Sequence, residues 1–175
     1  MIRTVNNLKK RPLVLLLLFF AFYTVIFVSC KAKLNDADIP FNAQYIRTNG
    51  YHESVKYPIL TVIKSSDELL GYFDTYKDKY DFRSRKYPAS DSTIGFKDAI
   101  EKYDEDFFDN SFLAAVILEE GSGSVRHKIS SVTESGIISI DRLVPEVVTD
   151  DMAEWNILIE IEVKYKDAAF QVVCN

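Results

Sequence analysis

The strongest constraint on this chain lies in its first thirty residues. Arg3, Lys9, Lys10 and Arg11 form a basic start with no acidic residue. Leu13 to Val28 then runs without a charge, interrupted only by Tyr23 and Thr24. Such a run offers no polar face, so it does not belong to an amphipathic helix of a soluble core. A basic start, an apolar run and a small residue at its end describe a secretory signal over 1–29. The alternative is an uncleaved anchor, which needs about 20 apolar residues; Pro12 to Cys30 just reaches. The basic cluster stays on the cytoplasmic side in either case. Both readings place the rest of the chain outside the cytoplasm, at a cell membrane.

The end of the run adds chemistry. Phe27-Val28-Ser29-Cys30 resembles the lipobox of bacterial lipoproteins, with Phe27 where an aliphatic residue is usual. The resemblance implies that Cys30 carries a diacylglyceryl group and becomes the first residue after cleavage. Lipid on that residue, with N-terminal modification, holds the chain to a bilayer. Cleavage removes four basic and no acidic residue, taking the net charge from −5 to −9. An acidic domain is expected to project from anionic lipid rather than lie on it, and nucleic acid is a poor partner for it. The chain has two cysteines and two histidines. That excludes a disulfide scaffold, a four-thiolate zinc site and a His-rich metal site. Cys174, left alone, reads as a buried inert thiol.

Residues 30–43 read as the lipidated cysteine and a polar tether, and 44–175 as a single extracytoplasmic domain. Gln44–Asn49 reads as a strand ending at the turn signal Asn49-Gly50, and Ile59–Ile63 as a second. Ser65-Ser66-Asp67-Glu68 fits a capping box. Leu69, Phe73, Tyr76 and Tyr80 then mark one helical face. A charged loop over 81–94 follows. Phe96, Ile100, Tyr103 and Phe107 predict a second helix from Gly95 to Tyr103 or beyond. Phe112–Leu118 is continuously apolar, as in a strand buried on both faces. Val125–Thr133 and Ile137–Arg142 flank Ser135-Gly136, a hairpin signal. From Trp155 to Val163 an apolar set alternates with Asn156, Leu158, Glu160 and Glu162, which predicts a strand with one apolar face and one mostly acidic one. Phe170–Val173 closes the list of strands. The pattern predicts an α+β fold: an antiparallel sheet of five or six strands with two helices packed on one face.

Two segments attract functional readings. Glu119-Glu120-Gly121-Ser122-Gly123-Ser124 lies between two predicted strands, followed by Arg126 and His127. Alternate glycines let a loop take positive φ and bring its backbone close to a ligand. A phosphate cradle would also need a following helix and a lysine, and a strand follows instead. The loop reads either as a flexible hairpin connection or as a binding loop presenting backbone to a partner. Glu119, Glu120 and His127 could alternatively supply acid, base and metal ligand to a small hydrolase, or rim a ligand pocket. The second segment holds Glu146, Asp150, Asp151 and Glu154 before Trp155. It could bind calcium, although it lacks the spacing of an EF-hand; capping of a helix by Thr149 or Asp150, or a solvated loop, is the plainer reading. Trp155 is either core or a rim aromatic of an interface.

The order of these features resembles a known family. The run Phe112–Leu118, then Gly121-Ser122-Gly123-Ser124-Val125, Ile129 and Val132, a hairpin and Pro145 is similar to the C-terminal domain of PrcB-like protease-complex subunits. That family carries Thr and Gly where this chain has Ser122 and Ser124, and an aromatic residue at Val125. The similarity spans roughly residues 107–175. It implies an envelope lipoprotein that binds a protein partner, with no catalytic residues and no cofactor. The expectation is therefore a membrane-anchored, non-catalytic binding module that engages another envelope protein through the Gly-Ser loop and the acidic loop.

Overall fold

The computed structural model describes residues 36–48, 52, 54–80, 82 and 96–175. The predicted signal segment 1–29, the predicted lipidation site Cys30, the turn signal Asn49-Gly50 and nearly all of the predicted loop 81–94 lie outside the described residues. In chain order the elements are strands β1 (Phe41–Thr48) and β2 (Ile59–Ile63), helices α1 (Ser66–Tyr76), α2 (Phe96–Ile100) and α3 (Glu105–Asn110), then strands β3 (Ser111–Glu120), β4 (Arg126–Val132), β5 (Ile137–Leu143), β6 (Ala153–Glu162) and β7 (Gln171–Cys174). The chain is α+β, as its pattern predicts.

The apolar run in β3 needs cover on both faces, and it receives it. β3 pairs antiparallel with β6 along its whole length, Ser111 opposite Glu162 and Glu120 opposite Ala153. β1 and β2 complete a four-stranded sheet in the order β1-β6-β3-β2. Even-numbered residues of β3 and odd-numbered residues of β6 (Phe112, Val116, Trp155, Ile157, Ile159) pack against Ile129, Val132, Ile138 and Ile140. The opposite face (Leu113, Ile117, Leu158) packs against Leu69, Tyr72, Phe96 and Ala99 of the helices. Helices, four-stranded sheet and three-stranded sheet therefore form three layers, with β3 and β6 shared by both cores.

Several expectations change. The strands divide between two sheets instead of one, because β3 and β6 bury both of their faces and β4 and β5 supply the second cover. The last strand, β7, lies parallel to β5, with Ile137 opposite Gln171. The short 3-10 turn Val163–Tyr165 carries the chain across before β7 begins. The polar set of β6 is solvated only toward the strand's end: Asn156 is completely buried, Glu160 partly so and Glu162 exposed, and Glu154, just before the set, is completely buried as well. The domain starts earlier than residue 44. Ile39 is core, Asp38 bridges Thr133, and β1 starts at Phe41, so residues 38–43, read as part of a tether, belong to the domain. Cys174 is exposed rather than buried, because β7 is an edge strand with β5 as its neighbour.

The capping box forms as read. Ser65 Oγ accepts from Glu68 N–H at 3.1 Å, and Glu68 Oε2 accepts from Lys64 N–H at 2.7 Å. The second helical segment splits. α2 ends at Ile100, and Asp104 caps a new helix by accepting from Phe107 N–H at 3.0 Å.

Candidate functional site

The Gly-Ser loop and the acidic loop meet at one end of the sandwich. Gly123 N–H donates to Asp151 O at 2.6 Å. Thr149 N–H donates to Ser122 Oγ at 3.0 Å and Ser124 Oγ at 3.2 Å. Arg47, on β1, reaches across: its Nη1 donates to Gly123 O at 3.1 Å and its Nη2 pairs with Asp151 at 2.5 Å. Arg126 Nη1 also donates to Gly123 O, at 2.7 Å. The guanidinium of Arg126 lies 5.1 Å from the Trp155 ring centroid.

These bonds change the reading of the loop. Its central backbone groups are engaged inside the protein rather than presented to a partner, and Ser122 and Gly123 are buried. Neither Gly121 nor Gly123 takes positive φ; among the described residues that glycine conformation occurs at Gly136, in the β4–β5 hairpin. Gly123 instead leaves room for the ends of the Arg47 and Asp151 side chains. A Cβ there would fall under 3.0 Å from Arg47 and Asp151, whereas Gly121 faces open space. The loop is a clamp for the β5–β6 connection.

What the clamp holds is apolar and exposed. Leu143, Val144, Val147, Val148 and Met152 all stand in solvent, Val147 at 81%. Glu146 and Asp150 are exposed among them. Thr149 and Asp150 cap no helix, because β6 follows directly. Trp155 is core, 1% exposed, which removes it from any rim.

Of the residues grouped as acid, base and metal ligand, Glu120 and His127 meet, and Glu119 stands apart. Glu119 and Glu120 are successive on β3 and so point to opposite faces. Glu120 faces the three-stranded sheet. Arg142 holds it in a fork, Nε to Oε1 at 2.8 Å and Nη2 to Oε2 at 2.6 Å, and His127 Nε2–H donates to Oε1 at 2.8 Å. Burial works to raise the Glu120 carboxyl, but the bonds and charges of Arg142 and His127 outweigh it and hold it below the usual range. Burial lowers His127, and the Glu120 partnership only partly offsets this. This triad joins β3, β4 and β5.

Glu119 turns to the helical side, opposite Glu154 of β6. The Tyr57 hydroxyl donates to Glu154 Oε1. Burial, chiefly, raises the Glu154 carboxyl, and the nearby charge of Glu119 adds to the effect, against the opposing influence of Tyr57, His52 and Lys79. Burial and the contacts with Glu154 and Tyr80 raise Tyr57 strongly. Tyr57, Tyr80, Arg47 and Arg142 do not stand out in the sequence, because each comes near its partner only through strand register or chain return. His52 joins this side as well: its Nε2 bonds to Lys79 O at 2.7 Å and its ring packs edge-on to Tyr80.

Among the described residues, no three His, Cys, Asp or Glu side chains gather as a metal site, the acidic loop included. No helix among them is long and apolar enough to cross a membrane. Compared with protein-family models, curated proteins and solved structures, the chain matches none.

Proposed function

We propose that this chain is a membrane-anchored extracytoplasmic lipoprotein that binds another envelope protein without catalysing a reaction. One observation carries the reading: five apolar side chains stand exposed in the β5–β6 connection, Leu143 to Met152, on a segment fixed at Thr149 and Asp151 by the Gly-Ser clamp. Apolar groups held in water on a fixed segment mark interaction surfaces. The anchor rests on the leader and its lipobox resemblance. The engagement of Glu120 by Arg142 and His127 supports a structural role for that glutamate over an acid–base one. The PrcB-like resemblance would make the partner a component of an extracellular protease complex.

A photo-crosslinking amino acid at Val147, in the full-length chain in intact cells, tests this. The expected result is one envelope protein crosslinked from Val147, not from the exposed Lys128 on β4, and lost when Val144 and Val148 become Asp. Equal crosslinking from both positions, or none from Val147, would remove the loop as the binding surface.

A further inference from the structure

The helix-facing side of the four-stranded sheet holds a second polar group, separate from the clamp. Glu119 and Glu154 are directly opposite in the β3–β6 register, which places their side chains side by side on one face. Glu154 is 0% exposed, and its Oε2 has no hydrogen-bond partner; the buried Oε2 of Glu119 has none either. Tyr57 occupies the other oxygen of Glu154. The hydroxyl of the fully buried Tyr80 lies beside that of Tyr57 yet completes no hydrogen bond. His52 and Tyr57, the members of the group's surroundings that reach the surface, are half-buried.

The buried Glu120 and the half-buried Glu160 are, by contrast, paired. Glu120 has Arg142 and His127, and Glu160 has Lys102 and Tyr103. An uncompensated buried carboxylate is costly and calls for a counter-charge or a proton. The charge of Lys79 reaches Glu154, but its Nζ stands over the Tyr80 ring, 5.3 Å from the centroid, and makes no ion pair with Glu154. That ring thus already carries an ammonium group, the protein's own.

We propose that Glu119, Glu154, Tyr57 and Tyr80 form a binding site for a primary ammonium group, brought by a small amine or by a lysine side chain. Three N–H donors match the two carboxylate oxygens that lack partners and a tyrosine oxygen. A guanidinium fits less well, because its fork needs both oxygens of one carboxylate and Tyr57 holds one of Glu154's. A divalent metal would find too few protein oxygens here and keep most of its shell as water. The site lies on the opposite face of β3 from Glu120, so it stands or falls independently of the apolar loop.

The test is calorimetric titration of the full-length chain in mild detergent at pH 8 with n-butylammonium chloride. Saturable binding is expected. Glu154→Gln weakens it at least tenfold and Glu119→Gln at least threefold, both variants remaining folded by circular dichroism. Tetramethylammonium, equal in charge but without N–H donors, binds at least tenfold more weakly. Binding also weakens as the pH is lowered toward the range in which Glu154, held above the ordinary carboxyl value, takes up a proton. Nα-acetyl-lysine amide separates the two sources: at least tenfold tighter binding than n-butylammonium identifies a lysine of a partner, and equal or weaker binding identifies a free amine. No saturable response to either amine, an unchanged response in both variants, or a stronger response to calcium chloride overturns the proposal. So does a ¹³C carboxyl signal of Glu154 that remains protonated and unmoved by amine at pH 8.

Discussion

Glu120 of β3 and Glu154 of β6 face opposite conditions, and pH separates them. Glu120 is ion-paired and held below its ordinary value of 4.5, so its contribution is complete above that value and is lost as the pH falls through the folded one. His127, lowered from 6.5, acts in the same direction: the unfolded chain takes up that proton first, so stability falls as the pH drops below 6.5. Glu120→Gln leaves Arg142 and His127 short of an anion. Arg142 is half in water, so the expected loss is about 2 kcal/mol at pH 7 by urea unfolding, shrinking toward pH 4. Glu154 has the opposite sign. Its folded pKa lies above 4.5, so the unfolded chain releases this proton first and stability falls as the pH rises from 4.5 through the folded value. Glu154→Gln is therefore expected to raise Tm relative to the parent at pH 8 and to lose that advantage near pH 4. Thermal scans in amine-free buffer check this; a difference independent of pH would place the effect in packing rather than ionisation. None of these roles was legible beforehand. Consecutive acidic residues look equivalent in a sequence, and only the strand's alternation and its neighbours give one a guanidinium and the other a second carboxylate.

Elements were legible where their signals are local. Ser65 and Glu68 announce the start of α1, and the cap forms; Ser65→Ala is expected to cost about 1 kcal/mol, measured by chemical denaturation. The split between α2 and α3 was not legible, because Phe96, Ile100, Tyr103 and Phe107 keep a helical spacing across the break that Asp104 caps. The direction of β7 is a tertiary outcome and leaves no mark on four residues. The Gly-Ser loop shows the same limit. Its two glycines look alike, yet only Gly123 sits against Arg47 and Asp151. Gly123→Ala is expected to cost about 1–3 kcal/mol and to loosen the β5–β6 connection, seen as faster amide exchange over residues 143–152. Gly121→Ala should change stability by less than about 0.5 kcal/mol. Equal costs at both glycines would mean that the clamp is not what holds the loop.

On the scale of the whole molecule, β3 and β6 line both cores, so the two layers that cover them are coupled through shared strands. Phe112, Val116 and Ile157 serve one side, and Leu113, Ile117 and Leu158 the other. A sequence reading finds these strands but not this arrangement, since a continuous apolar run says that both faces are covered and not by what. The coupling has a measurable consequence. The single tryptophan, Trp155, lies in the core between the sheets, whereas Leu158, three residues along β6, is buried against the helices. Leu158→Ala creates a cavity on the helical side and is expected to cost about 2–5 kcal/mol, lowering Tm by on the order of 10 °C. If the layers unfold as one unit, Trp155 fluorescence and the helical circular dichroism signal shift together and keep a common midpoint. If the helical signal moves and the fluorescence midpoint stays, the helical layer opens independently of the sandwich. That second outcome would also expose Glu154 without unfolding the sheets, placing the ammonium site on a part of the protein that can open by itself.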